Sequence, residues 1–170
     1  MDMLDRLMPD FFLNTFDEVT PEFLAGEGIR FLLVDIDNTL APYEEAIPNA
    51  RVLAWAEAMR QSGVTVILVS NNKKERVELF NRSLGFAAFY DCHKPSGRRL
   101  REIVKQAGAA LAESAALGDQ IFTDVWGARK LGVRAILVPP ICDKKTLFFR
   151  FKRLMEKPIL KKYHKLREGK

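Results

Sequence analysis

The stretch Phe31-Leu32-Leu33-Val34-Asp35-Ile36-Asp37-Asn38-Thr39-Leu40 constrains this chain more than any other. A short apolar run ending in two carboxylates reads as a buried parallel strand, and in open α/β sheets ligands bind at the C-terminal strand ends. Asp35 and Asp37, at i and i+2, point the same way from an extended strand, so two like charges are crowded together. An oxygen-preferring divalent cation relieves that repulsion. The candidate catalytic centre is therefore here, with the rest of the chain as its support.

The rest of the chain alternates strand and helix signals. Val52, Leu53, Trp55, Ala56 and Met59 form a 3.6-residue stripe that Gly63 stops. Val64 to Val69 is a second buried strand ending at Ser70-Asn71-Asn72. Asn72 can cap a helix from Lys73 to Leu84, closed by Gly85. Phe86 to Tyr90 reads as a third strand, followed by Asp91-Cys92-His93-Lys94-Pro95 and a helix to about residue 108. Ser114 to Leu117 is a fourth strand, Asp124 to Leu131 a helix, and Val133 to Val138 a fifth strand. This order predicts βαβ units: an α/β fold with a five-stranded parallel sheet and helices on both faces. Ahead of it, within residues 1–29, Leu4, Leu7, Met8, Phe11, Phe12 and Phe16 follow helical spacing and predict an N-terminal helical segment packed on the sheet.

At 170 residues the chain suits one domain, taken as residues 1–142, followed by a tail, 143–170. Cys92 and Cys142 are far apart and lack metal-ligand spacing, as expected of reduced thiols. No apolar run approaches the ~18–20 residues that span a bilayer and no signal-peptide pattern opens the chain, so a cytoplasmic location is expected. The net charge of +5 is unevenly spread. Residues 143–170 hold 11 Lys/Arg against 3 Asp/Glu, a net of +8, while residues 1–142 hold 16 against 19, a net of −3. A basic tail on a mildly acidic body suggests an anionic partner.

Four strand ends carry polar groups: Asp35 with Asp37, Ser70 with Asn71, Lys94, and Asp119 with Asp124. Each alone has an ordinary structural explanation as a cap or a surface residue. Their order on successive strands is the specific signal, because a parallel sheet gathers them along one edge. Asp35-Ile36-Asp37-Asn38-Thr39-Leu40, Ser70-Asn71-Asn72, Lys94-Pro95 and Gly118-Asp119-Gln120-Ile121-Phe122-Thr123-Asp124 together resemble the four motifs of the haloacid dehalogenase (HAD) phosphatases. The resemblance spans residues 30 to 138. The continuation Thr123-Asp124-Val125-Trp126-Gly127 is similar to the YqeG group of type IIIA HAD phosphatases, itself similar to the mitochondrial phosphatidylglycerophosphate phosphatases. Arg129-Lys130 departs from that group's pattern, outside the four motifs.

The resemblance implies a Rossmann-like HAD fold and a Mg²⁺-dependent phosphomonoester hydrolase. Asp35 would be the nucleophile, forming an aspartyl-phosphate, and Asp37 the general acid and base. Ser70, the Asn71 amide and Lys94 would hold the phosphoryl oxygens. Mg²⁺ would rest on Asp35, the Asp37 backbone carbonyl and Asp119, with Asp124 orienting from behind and Thr39 fixing the turn. His93 reads as a surface or packing histidine rather than a proton carrier, and His164 has no evident partner.

Neither the interval from Thr39 to Ser70 nor that from Asn71 to Lys94 has room for a cap domain, so a capless, open rim is expected, with a large substrate excluding water. In the tail, Leu147, Phe148, Phe149, Phe151, Leu154, Met155, Ile159 and Leu160 alternate with Lys144, Lys145, Arg150, Lys152, Arg153, Lys157, Lys161 and Lys162, and Pro158 should break or kink a helix. Such a basic amphipathic segment suits an anionic membrane interface, peripheral on the inner face, and with it a phosphorylated lipid head group as substrate; the family resemblance implies phosphatidylglycerophosphate as the favoured one. Packing of this stripe on the domain is the competing reading, and nucleic acid is the least favoured partner. Competing functions are the same chemistry on a phosphoprotein or soluble phosphate ester, and a non-catalytic phospho-ligand-binding or receiver-like module.

Overall fold

Six parallel strands form one sheet in the computed structural model, which describes residues 5–142 and 146–168 apart from the side chains of Asp5, Phe148, Phe149 and Glu168. The strands are β1 (Phe11–Phe12), β2 (Phe31–Val34), β3 (Thr65–Val69), β4 (Ala87–Phe89), β5 (Ser114–Gly118) and β6 (Arg134–Leu137). Their order is β1-β6-β5-β2-β3-β4, so β2 lies between β5 and β3. Val34 is in register with Leu117 on one side and Leu68 on the other, which sets the first motif beside the ends of both neighbours.

The period-2 pattern of a strand buried on both faces divides the core. Leu32, Val34 and Leu68 face α1 (Pro21–Gly26), α2 (Ala50–Ser62) and α3 (Lys74–Asn81) with Leu24, Met59 and Phe80. Leu33, Ile67 and Val69 face α4 (Gly97–Gln106), α5 (Trp126–Leu131) and α6 (Leu147–Glu168) with Ile103, Ala128 and Ile159. Helices thus cover both faces, as the alternation of signals required.

The sixth strand was not expected. Residues 5–18 form two single 3-10 turns, Asp5–Leu7 and Phe16–Glu18, around β1 rather than a helix. Pro9 cannot continue a helix, and the edge of β6 offers unpaired backbone. Asp10 N–H donates to Ala135 O at 2.8 Å, Leu13 N–H to Leu137 O at 3.0 Å, and the Asp10 carboxylate accepts from Ala135 N–H at 2.7 Å. Leu4 lies outside the described residues. Arg129 completes this seam: its guanidinium donates to Met8 O at 2.7 and 3.0 Å and pairs with Asp10 at 3.1 Å. The departure at Arg129-Lys130 therefore has a structural use, with Lys130 set over the Trp126 ring at 3.8 Å.

Boundaries shift where side chains intervene. α3 stops at Asn81 instead of Leu84 because the Asn81 side chain accepts from Phe86 N–H and donates to Phe86 O, turning the chain into β4. Asp124 sits in a π-helical turn, Ile121–Val125, before α5. The tail forms one helix, α6, straight through Pro158. Pro158 is on the exposed side of α6, where water can satisfy the carbonyl it leaves unpaired, while buried Glu156 and Ile159 hold the inner side. Lys144 and Lys145 lie outside the described residues. No described helix is long and apolar enough to cross a membrane.

Candidate active site

The C-terminal ends of β2, β3, β4 and β5 bring Asp35, Asp37, Ser70, Asn71 and Lys94 onto one cavity of about 340 Å³, with Asp119 and Asp124 beneath its floor. Only a loop and α2 separate β2 from β3, and only α3 separates β3 from β4, so neither interval carries a cap. The rim is nevertheless not open all round. Lys152 of α6 lines the cavity and Arg153 covers Asp119, whose side chain has 0% exposure.

Lys94 is the hub. Its Nζ is 2.7 Å from Asp35 Oδ1 and 2.7 Å from Asp124 Oδ1, and it is buried. A loop with left-handed Asp91 and His93 delivers it, and Asn71 clamps it: Lys94 N–H donates to Asn71 Oδ1 at 2.6 Å while Asn71 Nδ2 donates to Lys94 O at 3.1 Å. With that side chain committed to Lys94, the Asn71 backbone N–H is the group it can offer a ligand. Ser70 Oγ accepts from Asn72 N–H at 3.0 Å, so its hydroxyl hydrogen is left to donate. His93 itself is exposed.

Asp35, Asp119 and Asp124 each present a carboxylate oxygen within 4.8 Å of one another. Thr39 Oγ1 stands between two of them, 3.2 Å from Asp35 Oδ2 and 3.4 Å from Asp119 Oδ1. Asp124 joins the cluster directly, where the sequence had set it behind Asp119. Its second oxygen accepts from Gln120 N–H at 3.1 Å and Thr123 Oγ1 at 3.3 Å. Gly118 makes this possible: a Cβ there would lie 2.2 Å from Asp124 Cγ.

Asp37 is placed differently. Its carboxylate accepts from Asn72 Nδ2 at 3.0 Å and pairs with Arg76 at 3.0 Å, on the α3 side of the cavity. The crowding expected between Asp35 and Asp37 is thus relieved by separate cations, and the tighter crowd is made by acids from different strands. Asn72, expected as a helix cap, serves Asp37 instead, although its Oδ1 also accepts from Lys73 N–H at 2.8 Å.

Burial dominates the electrostatics. It pushes the Asp35 carboxyl up to about 7, against the pull of Lys94 and with a further push from Asp124. It pushes Asp119 up to about 8, with Asp35 and Asp124 adding to the rise and Arg153 opposing it. Burial pulls the Lys94 ammonium down, but Asp124 and Asp35 more than reverse this, holding it above its usual range. When ionised, the four buried acids Asp35, Asp119, Asp124 and Glu156 meet two cations, Lys94 and Arg153, leaving two negative charges. One divalent cation on three carboxylate oxygens balances that excess, so the donor set fits Mg²⁺.

Sequence reasoning missed Arg76, Arg153 and Glu156 as site residues. Arg76 is one helical turn past Asn72, a usable local signal. Glu156, the lone acid between residues 144 and 167 and three residues from Arg153, was a signal of an internal pair. Nothing local ties Arg153 to Asp119.

Comparison with known proteins agrees with this geometry. Residues 2–132 match the family model of haloacid dehalogenase-like hydrolases. The chain is 33% identical over 153 residues to the probable phosphatase YqeG of Bacillus subtilis, covering 90% of this chain and 89% of that one. Among the solved structures that share the fold are the following two. An uncharacterized protein from Listeria monocytogenes has a TM-score of 0.56 at 14% identity, covering 69% of this chain and 85% of that chain. The cobalt-bound deoxy-D-mannose-octulosonate 8-phosphate phosphatase of Haemophilus influenzae has a TM-score of 0.50 at 17% identity, covering 79% and 89%.

Proposed function

The chain belongs to the haloacid dehalogenase-like hydrolases, as a phosphatase of that family, and from this footing we propose a Mg²⁺-dependent phosphomonoesterase working through Asp35. The observation that carries the reading is the Lys94 ammonium bridging Asp35 and Asp124 at the floor of a cavity edged by Ser70 and Asn71. Without cations the clustered acids repel a phosphate; Lys94 turns the floor toward anions.

A phosphomonoester seated there would have its non-bridging oxygens on Ser70 Oγ–H, Asn71 N–H and Lys94 Nζ. An Asp35 oxygen attacks phosphorus, the ester P–O bond breaks, and the leaving alkoxide takes a proton from Asp37. Water then attacks the aspartyl-phosphate, Asp37 accepts its proton, and inorganic phosphate leaves with Asp35 restored. Arg76 and Asn72 hold the Asp37 carboxylate at the cavity edge for both transfers. Asp35, Asp119 and Asp124 would hold the metal, with the Asp37 carbonyl as a further donor, and the ion when bound neutralises charge on the transferring group.

For the substrate we favour a phosphorylated lipid head group, phosphatidylglycerophosphate, met at an anionic membrane face. What supports the membrane face is α6: Leu147, Phe151, Leu154 and Met155 are exposed at helical spacing with Arg150, Lys157 and Lys161, and Lys152 of the same helix edges the cavity; the particular lipid is what the resemblance to the YqeG group implies. The test is phosphate release with Mg²⁺ from phosphatidylglycerophosphate in mixed micelles, phosphopeptides, sugar phosphates, nucleotides and p-nitrophenyl phosphate. Selective turnover of the lipid supports the reading; preference for a phosphopeptide or soluble ester overturns the lipid and keeps the reaction. No turnover of any ester, or turnover that survives Asp35→Asn, overturns the reaction itself.

A further inference from the structure

A helix from the far end of the chain grips the most buried acid of the site, and nothing in the four motifs requires it. Arg153 Nη2 is 2.7 Å from Asp119 Oδ2, and Nη1 donates to the Asp119 backbone carbonyl at 2.9 Å. The same Nη1 is 2.7 Å from Glu156 Oε2, and Glu156 Oε1 accepts from Ile121 N–H at 3.0 Å. Arg153 thus holds both the side chain and the main chain of Asp119, while Glu156 locks Arg153 to the loop just beyond it. Ile159, 1% exposed, anchors the helix one turn later.

We propose that Arg153 is a positioning residue for Asp119 that biases the cation site toward Mg²⁺ over Ca²⁺. This rests on the reading of Asp35, Asp119 and Asp124 as that site. With Oδ2 on the guanidinium, Asp119 has one oxygen, Oδ1 beside Thr39, to give a metal. Mg²⁺ takes single oxygens in a strict octahedron, whereas Ca²⁺ readily accepts both oxygens of a carboxylate and a higher coordination number. A guanidinium occupying the second oxygen therefore removes a binding mode that favours the larger ion. It also leaves the buried charge at two negatives, the value one divalent ion balances; without Arg153 the site carries three, and selection by geometry weakens.

The experiment is calorimetric titration of Mg²⁺ and of Ca²⁺ into the metal-free full chain, with no substrate present, for wild type, Arg153→Met, Arg153→Lys and Glu156→Gln. In Arg153→Met the ratio of the two affinities moves toward Ca²⁺ by about tenfold, the size of effect typical of residues behind a metal ligand. Arg153→Lys, which keeps a cationic donor on Oδ2, restores most of the wild-type ratio. Glu156→Gln keeps an acceptor for Ile121 N–H and loosens the guanidinium while taking the buried charge to one negative, so a ratio moved toward Ca²⁺ there, by less than in Arg153→Met, assigns the effect to the freed Asp119 oxygen rather than to charge. If Arg153→Met does not fold, the Glu156→Gln and Arg153→Lys ratios decide. Equal weakening of both ions marks a merely structural helix contact and overturns the proposal, as does an unchanged ratio or one moved toward Mg²⁺. A wild type that binds neither ion overturns this proposal together with the metal reading, whereas a chain that binds both but hydrolyses nothing leaves it standing.

Discussion

Asp35 and Asp37 are two residues apart on one strand end, yet they occupy opposite electrostatic worlds. Asp35 joins Asp119 and Asp124 in a buried cluster with too few cations, and burial raises its carboxyl to about 7. Asp37 sits past the end of β2, paired with Arg76 and Asn72 at the cavity edge. The difference supports the proposed division of labour: the inner acids, short of cations, suit a metal ion, and the outer one, which already has its partner, suits proton transfer. One helix divides in the same manner: the inner side of α6 puts Arg153 on Asp119, and its outer side exposes apolar residues among lysines.

Substitution of the two acids tests the contrast most severely. Asp35→Asn should lower kcat on p-nitrophenyl phosphate by more than about 10⁴-fold, as expected for a lost nucleophile. Asp37→Asn should lose about 10²–10⁴-fold, the worth of a general acid and base, and should still bind Mg²⁺. Equal losses in kcat and in metal affinity would erase the distinction between them.

Next in size is a proton linkage confined to the inner cluster. Asp35 and Asp119, raised to about 7 and about 8, carry protons in the metal-free protein below those values, and a cation must displace them. Mg²⁺ affinity should therefore rise by up to about tenfold per pH unit for each proton released, and level off above about pH 8. Because the folded state holds these protons more tightly than the unfolded chain, metal-free stability should fall as pH rises through the same window. Saturating Mg²⁺ should restore it. Calorimetry in buffers of different ionisation enthalpy counts the protons.

Gly118→Ala comes third. A Cβ 2.2 Å from Asp124 Cγ forces Asp124 off Lys94, at a cost of about 1–3 kcal/mol for an overpacked site, read by thermal denaturation. The smallest effect belongs to the outer side of α6. Lys157→Gln and Lys161→Gln should each weaken flotation with anionic liposomes by about 1 kcal/mol while sparing turnover of the soluble ester. No loss in the double variant would remove the membrane half of the comparison.

Most of the parallel sheet was legible because its strands are long enough to show apolar runs and each ends in a polar signal: Val34 before Asp35, Val69 before Ser70, Leu117 before Gly118-Asp119. β1 was not, since Phe11 and Phe12 also fit a helical stripe with Leu7 and Met8; two residues form a strand only because β6 presents an open edge. Pro158 was expected to interrupt the tail, yet α6 continues because Glu156 and Ile159 are held from the inside. Asp124 stands out in the fourth motif, but its entry into the cluster needs the empty space over Gly118 that no spacing reveals.

By itself the sequence determined the order of strands and helices and the residue types that meet at one sheet edge, since period, turn residues and motif order are properties of neighbours along the chain. Tertiary structure alone decided which acids share a cation, which one is already paired, and that Arg153, 34 residues beyond Asp119, closes the site. Those outcomes depend on burial and on distances between remote segments. The same carboxylate is raised or neutralised according to what the fold sets beside it.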